Sequence, residues 1–332
     1  RGTVLGPRVR ALVTGAAGQD GTILATQLAR EGADVVGIVK PGTDVALLQR
    51  YAPDITVVEC DLGDVDALRF VLNDAATTEI YNLGGFTAPG DSWHHLEEVR
   101  RINVDAVVGL LDAMSTMPAT RLFQASSASI FEGIDMSPQT ERSRRVPQSP
   151  YAQSKADTMD LVNKARDERG VFAVCGILYN HESPLRGAGF VTRRITMGVA
   201  RIAGGLDDTL ELGDIEVARD WGWAPDYVNG MRLMLRAAVP HDYVLATGIS
   251  HRLSFFLSKA FQAAGISDWA PYVVSASQRH RASDTNKLVG ESRAAYVELG
   301  WRHTVDFDDM AAIMVRHDIA LLEDPDALWR IP

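Results

Sequence analysis

The sequence predicts an α/β protein, in which helices cover both faces of a doubly wound parallel sheet and a smaller part of mixed α/β structure follows towards the C-terminus. Three observations support this fold class: short apolar segments recur along the first half, segments with helical apolar spacing separate them, and a glycine-rich turn follows the first apolar segment. Strands of a parallel sheet are continuously apolar because helices bury both of its faces. The first half of the chain is therefore expected to alternate strands and helices.

The apolar segments define the expected elements. Strands are expected at residues 10–15, 33–39, 54–60, 78–84, 120–126 and 172–179, and helices at 20–31, 64–75 and 97–116. After Pro184, glycine-rich turns interrupt this order, and we expect a short strand in "TLELG" between helices at 190–203 and 226–238. We therefore divide the chain into a first domain, residues 1–179, and a second, residues 180–332, from which some segments return to the first.

Charge and cysteine content restrict the classes of partner. The formal net charge of −10 argues against a general nucleic-acid surface, so a polyanionic ligand would need a local basic site. No apolar stretch approaches the roughly 20 residues of a membrane span, and the basic start of the chain lacks the apolar core of a signal peptide. Cys60 and Cys175 lie in apolar strands, which indicates buried thiols in a reducing compartment and favours a cytoplasmic protein.

The segment "GAAGQDG" lies between the first expected strand and the first expected helix. Gly15 allows a tight turn, Gly18 lets the backbone approach a pyrophosphate, and Gly21 permits close packing of helix on strand. The N–H groups at the helix N-terminus then bind the phosphates. In this context the motif predicts a Rossmann-type NAD(P)-binding domain.

The end of the second strand bears on the choice of dinucleotide. An acidic residue there would bind the ribose 2′-hydroxyl of NAD, but this chain has Lys40, and a cation suits the 2′-phosphate of NADP. A solvated lysine at a strand end is the alternative. After the third strand, Asp61 and Leu62 are expected to border the adenine, and Asp61 is also a candidate N-terminal cap of the next helix.

Tyr151 and Lys155 form a Y-x-x-x-K pair in "SPYAQSK". On a helix this spacing places both side chains on one face. A nearby ammonium lowers the pKa of a phenol, so the tyrosine can act as base and acid while a hydride moves to nicotinamide. Ser127, after the fifth strand, is the expected hydroxyl partner.

These motifs resemble the extended short-chain dehydrogenase/reductases that modify nucleotide sugars, and most closely the GDP-mannose 4,6-dehydratase branch. The similar stretches include "ALVTGAAGQDG", "GILYNHESPLRGAGFVTRRIT" and "LELGDIEVARDWGWAPDYV". The resemblance implies NADP(H), with NAD as the alternative, a GDP-hexose substrate, and a homodimer or homotetramer.

The resemblance also assigns site residues. The catalytic residues are Ser127, Ser129, Tyr151 and Lys155. The cofactor contacts are Gly15, Gly18, Gln19, Asp20, Gly21, Lys40, Asp61, Leu62, Leu83, Gly84, Tyr151 and Lys155. The substrate contacts are Ala88, Asn180, Glu182, Arg186, Val191, Arg194, Arg219 and Arg281. The arginines would supply donors to the diphosphate.

Two segments depart from the dehydratase pattern. The dehydratases carry a glutamate at the position of Ser129, and this glutamate removes the C5 proton as water leaves. A serine hydroxyl is a poor base, and Glu132, three residues further on, is a candidate substitute. Two segments resemble the nucleotide-sugar epimerases instead: "SSASIF" and the loop "GGFTAPGDSW", which contains Ala88, Pro89 and Gly90. The alternative interpretation of the loop is a plain tight turn.

The leading hypothesis is therefore a GDP-hexose epimerase that works through a transient 4-keto intermediate. Epimerisation at C4 needs no carboxylate base. The resemblance of "SSASIF" to the epimerases also allows inversion at C3 or C5. A 4,6- or 5,6-dehydratase with a relocated base is the second hypothesis, and a non-catalytic NADP-binding sensor is the third.

Overall fold

The computed structural model describes residues 9–275 and 288–332. Its strands are β1 (Arg10–Thr14), β2 (Asp34–Val39), β3 (Thr56–Glu59), β4 (Glu79–Asn82), β5 (Arg121–Ser127), β6 (Phe172–Leu178), β7 (Asn180–Glu182), β8 (Leu210–Leu212), β9 (Ala218–Trp223), β10 (Tyr243–Leu245), β11 (Ser250–Arg252) and β12 (Val273–Ser275). The α-helices are α1 (Gln19–Arg30), α2 (Ala46–Tyr51), α3 (Val65–Asp74), α4 (Leu96–Val99), α5 (Ala106–Met114), α6 (Pro150–Arg169), α7 (Val191–Ala203), α8 (Ala224–Arg236), α9 (Leu253–Ala263), α10 (Arg293–Leu299) and α11 (Phe307–Glu323).

A seven-stranded parallel sheet organises the first core, in the order β10-β6-β5-β4-β1-β2-β3. Its strands are apolar on both faces, as the sequence predicts. Leu12 and Val13, which are neighbours in β1, are both fully buried, and so are Leu122 and Phe123 in β5. Among the flanking helices, α1 packs with α8, while α5 packs with α3 and α6. The predicted doubly wound α/β class is confirmed.

The structure adds elements that the sequence patterns do not predict. β10 joins the open edge of β6 although its three residues lie far along the chain. The helix expected at 97–116 is interrupted, since a π-helical segment (Arg100–Asp105) separates α4 from α5.

A second apolar core lies in the C-terminal part. Helices α7, α9 and α11 pack together there, around aromatic side chains that include Trp221, Phe256 and Phe307. Two small sheets accompany them, β11-β9-β7 and β12-β8. Because β10 and α8 belong to the first core, the second half of the chain contributes to both cores; the domain boundary at residue 179 stays a prediction.

The carboxyl ends of the central strands are joined by buried polar side chains. Thr14 at the end of β1 donates to Asn82 Oδ1 (2.6 Å), and Asn82 donates to Gln124 Oε1 in β5 (2.7 Å). Ligands of open α/β sheets bind outside the carboxyl ends of the strands, so this edge is where a site is expected. In the described part of the chain, no helix is both long enough and apolar enough to cross a bilayer.

Candidate active site

The glycine-rich turn leads directly into α1. Gly15 has a φ of +66°, and a Cβ added there would lie 2.8 Å from the Gly84 Cα atom. A Cβ on Gly21 would lie 2.3 Å from the Gly15 carbonyl oxygen, so helix and turn pack too closely for any larger residue. Gly18 caps α1 in an extended conformation without a side-chain hydrogen bond. This geometry fits a dinucleotide pyrophosphate at the helix N-terminus.

Ser127 and Tyr151 meet at the end of β5. Helix α6 begins beside them because Ser149 accepts a hydrogen bond from the Ala152 N–H (3.2 Å) and Pro150 occupies the first turn. The first turn of α6 thereby carries Tyr151 to Ser127, with which its side chain is hydrogen bonded. Ser127 Oγ also accepts from the Ser129 N–H (3.2 Å).

Lys155 lies one helical turn further along α6 and is only 6% exposed. Its Nζ donates to the Ala125 carbonyl (3.0 Å) and is 5.7 Å from the centroid of the Tyr151 ring. Burial lowers the pKa of Lys155 to about 8. The predicted arrangement of hydroxyl, phenol and ammonium on one face is therefore present.

The electrostatics of Tyr151 differ from the expectation. Burial raises the pKa of Tyr151, and the hydrogen bond with Ser127 and the charge of Arg186 oppose that rise. The sequence predicts that Lys155 lowers this pKa, but the ammonium donates to the Ala125 carbonyl and lies over the ring, 5.7 Å from its centroid, and the effect of burial on the phenol is larger. The protein groups alone therefore leave Tyr151 protonated at neutral pH.

Asn103 belongs to the site and is not identified by the sequence motifs. It is buried in the π-helical segment, where its Nδ2 donates to Ser154 Oγ (2.9 Å) and its Oδ1 accepts from the Phe86 N–H (2.8 Å). These bonds join the loop after β4 to α6. A Cβ on Gly85 would lie 2.8 Å from Asn103 Oδ1, so a side chain there would displace Asn103.

The residues expected near the adenine and ribose are brought together at the ends of β2 and β3. The Lys40 side chain is 74% exposed, with its Nζ 3.9 Å from Glu98. Asp61 pairs with Arg101 (2.9 Å) and accepts from the Gly63 N–H (2.9 Å); these contacts lower the pKa of Asp61 against its partial burial.

The alternative interpretation of Asp61 as a helix cap is wrong. Helix α3 begins after Asp64, whose side chain accepts from the Ala67 N–H (3.0 Å). Asp61 lies one turn too early, where it orders the loop through Gly63. Its neighbour Leu62 packs close to Gly84, since a Cβ on that glycine would meet Leu62 Cδ1 at 2.7 Å. Leu83 directly precedes this contact and is half-buried.

The expected substrate residues of the NHESPLRG segment surround strand β7. Glu182 is 1% exposed; its carboxylate accepts from Thr192 Oγ1 (2.7 Å) and lies 3.1 Å from Arg186 Nε. Burial raises the pKa of Glu182, and Arg186 opposes that rise. The Arg186 guanidinium stacks 3.6 Å from the centroid of the Phe190 ring. Glu182 thus positions Arg186.

The other substrate candidates lie on neighbouring elements. Asn180 begins β7 and is paired with Trp221 of β9, the strand that carries Arg219. Val191 is the first residue of α7, and Arg194 on the same helix donates to the Glu211 carbonyl (3.2 Å). The prediction for Arg281 falls outside the described residues.

Ser129 and Glu132 are related by a 3₁₀ helix that spans Ala128–Phe131, with Glu132 as its C-terminal cap. Side chains three residues apart eclipse one another in this helix, so Glu132 lies on the same side as Ser129, one turn further. The charge of Glu132 acts to raise the pKa of Tyr151.

Ala88 lies in a compact turn near this end of the sheet. Its carbonyl accepts from the N–H groups of Asp91 and Ser92 (both 3.1 Å), and Ser92 Oγ donates to the Pro89 carbonyl (2.6 Å). These bonds account for the tight conformation of the loop.

Together the groups at the sheet edge can exchange a proton with a substrate hydroxyl. Tyr151 has the chemistry of a proton carrier, Ser127 is its hydrogen-bonding partner, and Lys155 is a cation at neutral pH. The glycine turn places a dinucleotide-binding helix at the same edge. Such an arrangement suits oxidation of an alcohol and reduction of a ketone.

Comparison with known proteins identifies the family. Residues 12–314 match a family model described as GDP-mannose 4,6 dehydratase. GDP-mannose 4,6 dehydratase 1 of Arabidopsis thaliana is 34% identical over 96% of this chain and 92% of its own length, and the human GDP-mannose 4,6 dehydratase is 33% identical over 95% and 93%.

Solved structures share the fold at lower identity. UDP-glucose 4-epimerase of Thermotoga maritima, determined with UDP-glucose, superposes with a TM-score of 0.84 at 18% identity over 94% of this chain and 99% of its own. The dTDP-glucose 4,6-dehydratase of Bacillus anthracis, in complex with NAD, has a TM-score of 0.80 at 16% identity over 96% and 98%. The family model covers most of the chain and the relatives exceed 30% identity over nearly all of it, so this chain belongs to the GDP-mannose 4,6-dehydratase family.

Proposed function

We propose that this protein is a nicotinamide-dinucleotide-dependent enzyme that converts a GDP-hexose through a transient 4-keto intermediate, and that the overall reaction is an epimerisation. The observation that carries the proposal is the assembled Ser127, Tyr151 and Lys155 next to Ser129, a residue without a carboxylate. The first three suffice for oxidation and reduction at C4. Elimination of water needs a base at C5 in addition, and a serine hydroxyl is a poor one.

The proposed chemistry assigns a role to each group. Tyr151 accepts the proton of the C4 hydroxyl during oxidation and returns a proton during reduction, while Ser127 is hydrogen bonded to the same oxygen. Because the protein groups alone leave Tyr151 protonated, the phenolate would form only with the dinucleotide bound, and the Lys155 ammonium over the Tyr151 ring would then help to stabilise it. When bound, the dinucleotide supplies the hydride acceptor. Inversion at C4 then requires that the 4-keto sugar turn over in the pocket before reduction.

The preference for a GDP-hexose rests on family membership and on the cations near β7. Arg186, Arg194 and Arg219 would give a protein with a net charge of −10 a local basic site for a diphosphate. Arg281 is proposed for the same role from sequence alone.

The preference for NADP rests on Lys40. The chain has this cation directly after β2, where NAD-binding domains carry an acid, and its side chain is largely exposed for a 2′-phosphate to reach. We further propose a cytoplasmic location, since both cysteines are buried free thiols, as suits a reducing compartment. The resemblance to the family is the ground on which we propose a homo-oligomer.

A dehydratase reaction is the second candidate, and the 3₁₀ helix favours it. Because Glu132 lies above Ser129 on one side of that helix, its carboxylate is the nearest substitute along the chain for the missing base. After oxidation at C4, abstraction of the C5 proton by Glu132 with loss of the C6 hydroxyl as water would give a 4-keto sugar with a double bond between C5 and C6. Return of the hydride from C4 to C6, with a proton added at C5, would then give a 4-keto-6-deoxy sugar.

Incubation with GDP-mannose and NADP⁺ in deuterated water tests the proposal. An isomeric product without deuterium is the result expected for inversion at C4. Deuterium incorporation without loss of water would move the inversion to C3 or C5, and loss of one water would establish the dehydratase reaction instead. A UDP-sugar that raises the melting temperature where GDP-mannose does not would refute the GDP assignment.

A non-catalytic sensor is tested by Tyr151→Phe. We expect this variant to lose turnover by about two to four orders of magnitude while NADPH affinity stays within about twofold. A variant that keeps wild-type turnover, or a wild type that turns over none of the GDP-hexoses offered, would contradict a catalytic role.

A further inference from the structure

Asp20 and His181 form a buried pair where the dinucleotide-binding helix contacts strand β7. His181 Nε2 lies 2.7 Å from Asp20 Oδ2, and the two side chains are 9% and 19% exposed. His181 Nδ1 lies 2.7 Å from the Tyr179 carbonyl oxygen, and its ring stacks on Tyr227 with 4.5 Å between centroids. The hydrogen bonds of the pair reach Gln19 and the Tyr179 carbonyl, and none of them involves Ser127, Tyr151 or Lys155.

The hydrogen bonds show where the protons of this pair are. A carbonyl oxygen only accepts, so Nδ1 of His181 carries a proton. The Nε2–Oδ2 contact shares one further proton, and the directions of the two pKa shifts favour Nε2 as its site, which makes the pair an imidazolium and a carboxylate. Burial is the strongest single effect and opposes both charges, but the partner's charge and the hydrogen bonds together outweigh it: the pKa of His181 is raised and that of Asp20 is lowered. Arg186 acts against the first shift and supports the second.

Gln19 adds further hydrogen bonds between the start of α1 and strand β7, beside the Asp20–His181 pair. Its Nε2 donates to Asp20 Oδ1 (3.0 Å) and to the His181 carbonyl (3.1 Å), while its Oε1 accepts from Ser183 Oγ (2.9 Å). Gln19 is the first residue of α1, immediately after Gly18 of the glycine turn. The first turn of α1 is thereby attached to residues 181–183, whose neighbours include the proposed sugar-nucleotide contacts Asn180 and Arg186.

We propose that Asp20 and His181 are positioning residues that couple the two binding sites, because they hold the phosphate-binding end of α1 against the strand that presents the sugar nucleotide. Neither residue takes part in the chemical step. The coupling is reciprocal: the dinucleotide tightens the nucleotide diphosphate, and the nucleotide diphosphate tightens the dinucleotide by the same factor. The inference rests on the proposed function in assigning β7 to the sugar nucleotide.

The test measures affinities rather than turnover, with NADPH and GDP as probes. In the wild type, saturating GDP is expected to lower the Kd of NADPH by about fivefold or more. In Asp20→Asn and His181→Asn the factor is expected to fall to near one. The shorter amide of His181→Asn can replace only the Nδ1 donor to the Tyr179 carbonyl. The longer amide of His181→Gln can reach Asp20 in place of Nε2, so we expect His181→Gln to keep a larger coupling factor than His181→Asn.

A buried ion pair elsewhere provides the matched control. Arg193 on α7 pairs with Asp318 on α11 in the second core. Asp318→Asn is expected to destabilise the fold without changing the coupling factor. The proposal is overturned if the wild type shows no coupling, if Asp20→Asn and His181→Asn keep the wild-type factor, or if Asp318→Asn reduces it as much. If Asp20→Asn fails to fold, the two His181 variants decide.

Failure of the proposed function gives a different result. If GDP does not bind to the wild type, the GDP assignment fails, and the NADPH affinity alone then tests the pair. In that case Asp20→Asn is expected to weaken NADPH about fivefold or more and Asp318→Asn to leave it unchanged; equal affinities in all three proteins would overturn the pair's role.

Discussion

Replacement of Lys155 by methionine is expected to make the protein more stable while it removes activity. Lys155 is 6% exposed, and burial lowers its pKa from 10.5 to about 8. A lysine with a lowered pKa destabilises the folded state wherever the unfolded chain would be charged. At 1.36 kcal/mol per pKa unit, the cost is about 3 kcal/mol at pH 7. Methionine has a similar shape and carries no charge.

The loss of one hydrogen bond offsets part of this gain. Lys155 Nζ donates to the Ala125 carbonyl, but that carbonyl also accepts from Gln124 Nε2 (3.0 Å), so it keeps a partner in the variant. A hydrogen bond of this kind contributes about 1 kcal/mol. The free energy of unfolding of Lys155→Met should therefore exceed that of the wild type by about 2 kcal/mol at pH 7.

The sign of the pH dependence distinguishes this account from improved packing. The cost of the buried ammonium is fully present below about pH 8 and disappears as the pH rises towards 10.5. The advantage of the variant should thus shrink by roughly 1 kcal/mol between pH 7 and pH 9. Urea denaturation of the ligand-free protein at both pH values measures it, with Lys164→Met, an exposed position on the same helix, as control. A Lys155→Met protein that is no more stable than wild type, or whose advantage does not change with pH, would refute the reasoning.

Two further substitutions test the dinucleotide site. Gly21→Ala would place a methyl group 2.3 Å from the Gly15 carbonyl oxygen, so we expect a loss of about 1–3 kcal/mol in the free energy of unfolding and weaker NADPH binding. Gly213→Ala is the control and should change neither, because no atom lies within 4 Å of its added Cβ. Equal stabilities of Gly21→Ala and the wild type by urea denaturation would count against the tight turn. Lys40→Ala should weaken NADPH binding about tenfold and leave NADH binding within twofold in fluorescence titrations, because only NADPH carries the 2′-phosphate. Unchanged affinities for both dinucleotides would identify Lys40 as a solvated lysine.

The first core was predictable because its signals are local. Continuous apolar runs give the strands β1 to β6, and glycines at fixed spacing give the turn before α1. Strand β10 has no such signal, since three residues acquire strand structure only by pairing with β6, more than sixty residues away along the chain.

Site residues that are recognised by their spacing along the sequence were predicted, whereas the residues that surround them in the fold were not. Tyr151 and Lys155 are recognised because one helical turn separates them. Asn103 is not, since its role depends on a π-helical segment and on Ser154 from another helix. The direction of the pKa shift of Tyr151 was predicted wrongly, because the sequence reveals the nearby ammonium but not the burial of the phenol, which raises its pKa.

The central claim is that this site oxidises and reduces C4 without removing water. It is tested most directly with GDP-mannose that carries deuterium at C4, followed by mass spectrometry and NMR of the product. We predict a product of unchanged mass in which the deuterium is again at C4, with inverted configuration. A product lighter by one water, with the deuterium transferred to C6, would contradict the account and assign the base to Glu132.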